Sequence, residues 1–133
     1  MKLLGVCTTD QQKQPSMPEI GTSGVKFTKV AREWRCKYSY GPSGGPGDSE
    51  SLKACQALLD KYLEVLKELP NVEVTRVVCG GCRDFKVIMN QPAADHDSWK
   101  AQDYIPEAKF LEELKAIDGV DTVETQEFTC EAL

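Results

Sequence analysis

The sequence predicts a ferredoxin-like α+β domain, a split βαβ repeat (β-α-β-β-α-β) with a four-stranded antiparallel sheet and two helices on one face. Three observations predict it. Lys61-Tyr62-Leu63-Glu64-Val65-Leu66-Lys67 runs on to Leu69 and Val72, and Lys109-Phe110-Leu111-Glu112-Glu113-Leu114-Lys115 runs on to Ile117 and Val120 at the same spacing. Each stretch reads as the end of an amphipathic helix turning into a strand, so one helix-strand unit occurs twice. A strand of period two precedes the first unit, and two β-rich runs joined at Cys79-Gly80-Gly81-Cys82 separate the helices. The implied strand order is 4-1-3-2.

Taken in order, Met1 to Cys7 holds an apolar stretch shorter than a secretory leader, and the polar run from Thr8 follows at once. Gln, Thr, Ser, Pro and Gly then dominate without hydrophobic periodicity, so residues 1–24 read as an extended or mobile arm and 25–133 as the domain. The first strand is read from Phe27 to Tyr40. Val30, Trp34, Cys36, Tyr38 and Tyr40 make its apolar side, interrupted by Arg32, while Lys29, Glu33, Arg35 and Lys37 make the other.

Gly41 to Gly47 must be a loop, because Gly and Pro recur within it, and Asp48 or Ser49 supplies a cap. Leu52, Cys55, Leu59, Tyr62, Leu63, Leu66 and Leu69 form one helical stripe that stops at Pro70. Val72–Val78 and Phe85–Met89 are the middle strands, and the Gly-Gly pair between them suits a tight hairpin. A long polar connection from Gln91 to Ile105 leads to a second helix at Pro106, which Gly119 ends, and Val120–Cys130 is the last strand.

The 133 residues are enough for one domain with a core, and 28% charged with 41% hydrophobic residues is the balance of a globular protein. A net charge of -5 without a Lys/Arg cluster argues against nucleic acid or an anionic membrane as partner. The default compartment is cytoplasmic or otherwise reducing, where six cysteines are free thiols, ligands or redox groups more often than structural disulfides.

The sharpest local feature is the pair Cys79 and Cys82. On a tight hairpin it offers half of a tetrahedral zinc or iron site, or a reversible disulfide. Cys36 and Cys130 would lie on neighbouring strands, but Cys82 and Cys130 fall on opposite sheet edges, and His96 is the single histidine, set between Asp95 and Asp97 on a loop. The expectation is therefore no cofactor, with zinc or iron as the lesser alternative. A strand rather than a helix follows the CxxC, so the usual activation of a redox cysteine is missing. Cys55 and Cys36 both sit on apolar stripes and read as core filler. No phosphate-binding glycine loop and no nucleophile elbow is present.

Cys36-Lys37-Tyr38-Ser39, the glycine loop, the long helix, the hairpin, Phe85-Lys86-Val87-Ile88-Met89 and Lys109-Phe110-Leu111 together resemble selenoprotein W-type (Rdx) thioredoxin-like proteins, over roughly residues 32–117. The resemblance implies a thiol-redox role. Ser39 replaces the resolving thiol, leaving CxxS, and that family has no counterpart to the Val120–Cys130 strand.

RNA-binding sheets of this topology expose aromatics on the open face. Here Trp34, Tyr38 and Tyr40 fall on the helix side, and the open side offers Lys29, Arg35, Lys37 and Lys86. Those cations suit an acidic protein or a small anion, though an ordinary solvated face is the commoner outcome. Trp99 and Tyr104 on the 91–105 loop either close over a ligand or partner or fold back onto the core edge. The reading from sequence is a small non-catalytic binding or assembly module, joined to a protein partner or to itself. A thiol-redox or metal-thiolate protein is its alternative.

Overall fold

The computed structural model describes residues 17–133, which divide into two compact units: residues 17–28 with Glu131–Leu133, and Lys29–Cys130. Most of the arm expected over residues 1–24 lies outside the described residues. In the first unit Glu19 bridges antiparallel to Lys26 around a turn, and the Thr28 amide and hydroxyl hold the Glu131 carboxylate at 2.7 and 2.6 Å.

The second unit carries the elements β1 (Lys29–Lys37), a 3-10 turn (Pro46–Asp48), α1 (Glu50–Lys67), β2 (Glu73–Cys79), β3 (Asp84–Pro92), α2 (Ala93–Lys100), α3 (Glu107–Lys115) and β4 (Asp121–Thr129). All strand pairs are antiparallel, in the order β2-β3-β1-β4. That is the expected ferredoxin-like order. The fourth strand pairs with the first, which a thioredoxin-like reading has no place for.

Among the described residues three α-helices rather than two accompany the sheet. The extra one, α2, lies where a polar connection was expected. Its apolar signal is only the pair His96 and Trp99, one turn apart, and both are buried. Eight residues with two inward positions are too few for a periodicity to show.

Trp34 sits at the centre of the core. Its ring lies 4.6 Å from Phe110 and 6.2 Å from Trp99, so the helices bearing them cover the Trp34 side of β1. Tyr62 meets Phe110 edge-on at 5.4 Å. These two aromatics hold the same place in the two copies of the repeated pattern, so the repeat packs against itself. The contact adds about 1 kcal/mol to the burial of both rings.

Helix α1 starts because Ser49 accepts the Leu52 amide at 3.0 Å, a cap that stabilises by about 1 kcal/mol. The same hydroxyl donates to the Ser39 carbonyl. Gly119 (φ +91) permits the turn into β4 at a point where a Cβ would come within 3.2 Å of the Ser51 side chain.

The tight Gly-Gly hairpin needs correcting. Cys79 pairs with Asp84, leaving four residues in the turn, and its left-handed residue is Arg83 (φ 58) rather than either glycine. Cys79 and Cys82 are joined as a disulfide across this turn.

Candidate functional site

Cross-strand register on the helix-covered face brings Arg32 opposite Glu127 and Trp34 opposite Thr125. Helix α2 lays His96 and Trp99 over this ladder, the following turn adds Tyr104, and the first turn of α3 adds Glu107. The result is a polar cluster between sheet and helices.

Glu107 anchors one end. Its carboxylate accepts from Arg32 Nε at 2.8 Å and Nη2 at 3.0 Å, and from the Trp34 indole at 2.7 Å. Arg32 also donates to Thr125 at 3.1 Å, and its guanidinium lies 4.0 Å above the Tyr104 ring. A two-pronged arginine–carboxylate pair of this kind fixes both partners in orientation.

Glu127 anchors the other end. Its Oε2 accepts from the Tyr104 hydroxyl and from His96 Nε2, each at 2.6 Å, and Lys100 approaches Oε1 at 3.4 Å. The Tyr104 and His96 contacts hold the carboxyl down to about 2, well below the usual carboxylate range. Burial and the same carboxylate push the Tyr104 phenol up, so it stays protonated.

An ionised carboxylate can only accept, so His96 Nε2 carries a proton. In the neutral ring Nδ1 is then a bare lone pair. His96 is 1% exposed, and Nδ1 has no hydrogen-bond partner among the described residues. An imidazole oriented by a carboxylate through one nitrogen, with the other nitrogen unpartnered, has the arrangement of a general base.

The residues expected to act are distributed differently. Cys79 and Cys82 are bonded to each other. Cys36 is buried with its Sγ 3.8 Å from Cys55, and Cys130 is exposed just beyond β4. Cys36 and Cys130 sit at opposite ends of the β1–β4 ladder, since Val30 pairs with Thr129 and Lys37 with Asp121. Neighbouring strands are thus not enough to bring these thiols together, and no group of three or more His, Cys, Asp or Glu among the described residues could hold a metal ion.

His96 is not on a solvated loop. Its helix turns it inward, while Asp95 takes the Asn71 amide at 3.0 Å. Trp99 and Tyr104 are 2% and 7% exposed, so neither ring is presented to a partner. On the open face Arg35 lies 3.6 Å from Glu33 and 3.4 Å from Asp84, and Lys37 lies 2.7 Å from Asp84. Those acids neutralise the cationic face there. Lys29 begins β1 and is exposed, and Lys86 is half-buried opposite Arg35.

Sequence reasoning missed Glu107, Thr125 and Glu127. Arg32 alone gave a signal, as the charge that interrupts an apolar strand face. No helix of the described residues is long and apolar enough to cross a membrane.

No family model matches the chain, and no curated protein matches it. Among solved structures the chain is similar to SnoaB, a cofactor-independent oxygenase from Streptomyces nogalater, in a point-mutant form. The identity is 16%, the TM-score 0.50, and the match covers 80% of this chain and 96% of that one. This likeness is one of fold. It corrects the reading of a non-catalytic binding or assembly module, because the structure sharing the fold is an oxygenase. Of the two places open to Trp99 and Tyr104, both rings take the one in the core. The likeness gives no support to a thiol oxidoreductase.

Proposed function

We propose that the chain is an oxygenase working without a bound cofactor, in which His96 removes a proton from an acidic O–H or C–H of a small organic substrate. The observation that carries this reading is the buried His96 ring, tied through Nε2 to an ionised Glu127, with Nδ1 unpartnered among the described residues. The substrate anion gives one electron to molecular oxygen and recombines with the superoxide as a peroxide. The proton returned from His96 lets the O–O bond break to leave one oxygen as a carbonyl and the other as water, so a base that makes the anion can stand in for a cofactor. SnoaB is described as a cofactor-independent oxygenase, and its fold supports the assignment. In this scheme Glu127 orients the neutral imidazole, Tyr104 fixes the carboxylate, and Arg32 with Glu107 keeps the neighbouring end of the cluster rigid.

The test is oxygen uptake by the chelator-treated protein with a panel of hydroquinones, enols and 1,3-dicarbonyls. Uptake that falls about a hundredfold in His96→Gln and less in Tyr104→Phe, with both variants folded, is the expected outcome. No uptake with any member of the panel, or an unaffected His96→Gln, would sink the reading.

A second copy of the chain is the partner proposed with it. The helix-free face of the sheet carries a small apolar strip, Val77 (38% exposed) beside the half-buried Ile88 of the neighbouring strand. Sizing in solution would return a dimer, and a monomer at all concentrations would remove this part.

A further inference from the structure

A cleft of about 380 Å³ opens where α1 passes the edge strand β2, and it shares no residue with the His96 cluster. Its apolar part is made by Pro46, Leu52, Val78 and Phe85. Val78 and Phe85 are cross-strand partners and face the same side, yet Val78 remains 41% exposed while Phe85 is buried. The helix therefore leaves apolar surface open beside the core.

Lys53, Gln56 and Arg76 line the same cleft, and among the described residues no Asp or Glu does. Arg76 Nη1 donates to the Gln56 side-chain oxygen at 2.6 Å, a neutral partner, while Gln56 gives its amide to Asp60 at 2.8 Å. Among the described residues Arg76 has no carboxylate in ion-pair reach. Lys53 meets Glu50 at 3.1 Å, but both side chains are well exposed (65% and 85%), so water competes for that pair. Two cations beside an apolar wall are thus available on a chain of net charge -5.

We infer that this cleft binds a small amphipathic carboxylate, with an aromatic or short aliphatic body against Leu52, Val78 and Phe85 and its carboxylate on Arg76 and Lys53. The volume lies within the roughly 300–1,000 Å³ of small-molecule sites, which likewise combine apolar walls with a few polar anchors. Arginine suits the role because its planar fork matches a carboxylate with two parallel hydrogen bonds.

The experiment is a titration of the whole ¹⁵N-labelled protein with 2-naphthoate, followed by amide chemical shifts, beside the uncharged 2-naphthylmethanol. Saturable shifts at Leu52, Lys53, Arg76 and Val78 are expected. The carboxylate should bind about tenfold more tightly than the alcohol, and Arg76→Gln should remove that preference. Lys53→Gln should weaken binding in the same direction, and an unchanged spectrum elsewhere verifies that each variant is folded. Absent shifts, shifts confined to other residues, or equal affinity of the alcohol and the carboxylate for the unmodified protein would each overturn the inference. The readout does not involve oxygen uptake, so it stands or falls apart from the His96 proposal.

Discussion

Glu127 is the residue on which the site's charge depends. Its carboxyl, ordinarily near 4.5, is held at about 2 by the Tyr104 hydroxyl and then His96. A depressed carboxyl contributes stability that is complete above the unfolded value and disappears as pH falls through the folded one. The window for Glu127 therefore runs from about 4.5 down to about 2. Its side chain is 35% exposed, so water screens part of the effect. Urea midpoints of the native protein and Glu127→Gln should differ by a constant amount above the window and converge through it. A gap that stays constant down to the lower limit would show that Glu127 acts by packing instead. Little of this was readable in the chain: Glu127 is one acid in an alternating polar strand, and only the β1–β4 register puts it opposite Arg32. His96, framed by two aspartates, carries the composition of a solvated loop, and its burial comes from a helix too short to declare itself.

Among the elements, the repeated helix-strand pattern was legible because its signal spans many residues at fixed spacing. Tyr62 and Phe110 meet in the core as a consequence. The segment joining α2 to α3 was not legible, because its shape rests on backbone dihedrals rather than on composition. Asp103 and Tyr104 are consecutive left-handed residues, at φ 58 and 55, and neither is glycine. Such residues each cost on the order of 1 kcal/mol, and strain of this kind collects at functional sites. Here it turns the Tyr104 hydroxyl back onto Glu127 while the Trp99 indole donates to the Ile105 carbonyl at 2.9 Å. Asp103 is exposed, so Asp103→Gly relieves the dihedral without removing packing. Denaturant unfolding should show that variant more stable by about 1 kcal/mol, less the extra freedom glycine gives the unfolded chain. A clear loss of stability would mean that the aspartate side chain itself holds the turn.

At the scale of the whole molecule, the buried thiols report how far sheet and helices open together. With Cys79 and Cys82 bonded, the free thiols among the described residues are Cys36, Cys55 and Cys130. Cys130 is exposed, whereas Cys36 on β1 and Cys55 on α1 face each other in the core. The hydrogen bond between them and their burial push the Cys36 thiol far up, so it is inert in the folded chain. Alkylation followed by peptide mass analysis should find Cys130 modified under native conditions. Cys36 and Cys55 should react only through opening, at equal opening free energies. That energy should fall with urea as steeply as global unfolding, because both sit in the same cluster as Trp34, Tyr62 and Phe110. Early labelling of Cys55 with a shallow urea dependence would instead mean that α1 lifts from the sheet by itself. The wall of the Leu52–Val78 cleft would then be a moving part, and ligand binding there would slow Cys55 labelling in proportion to its affinity.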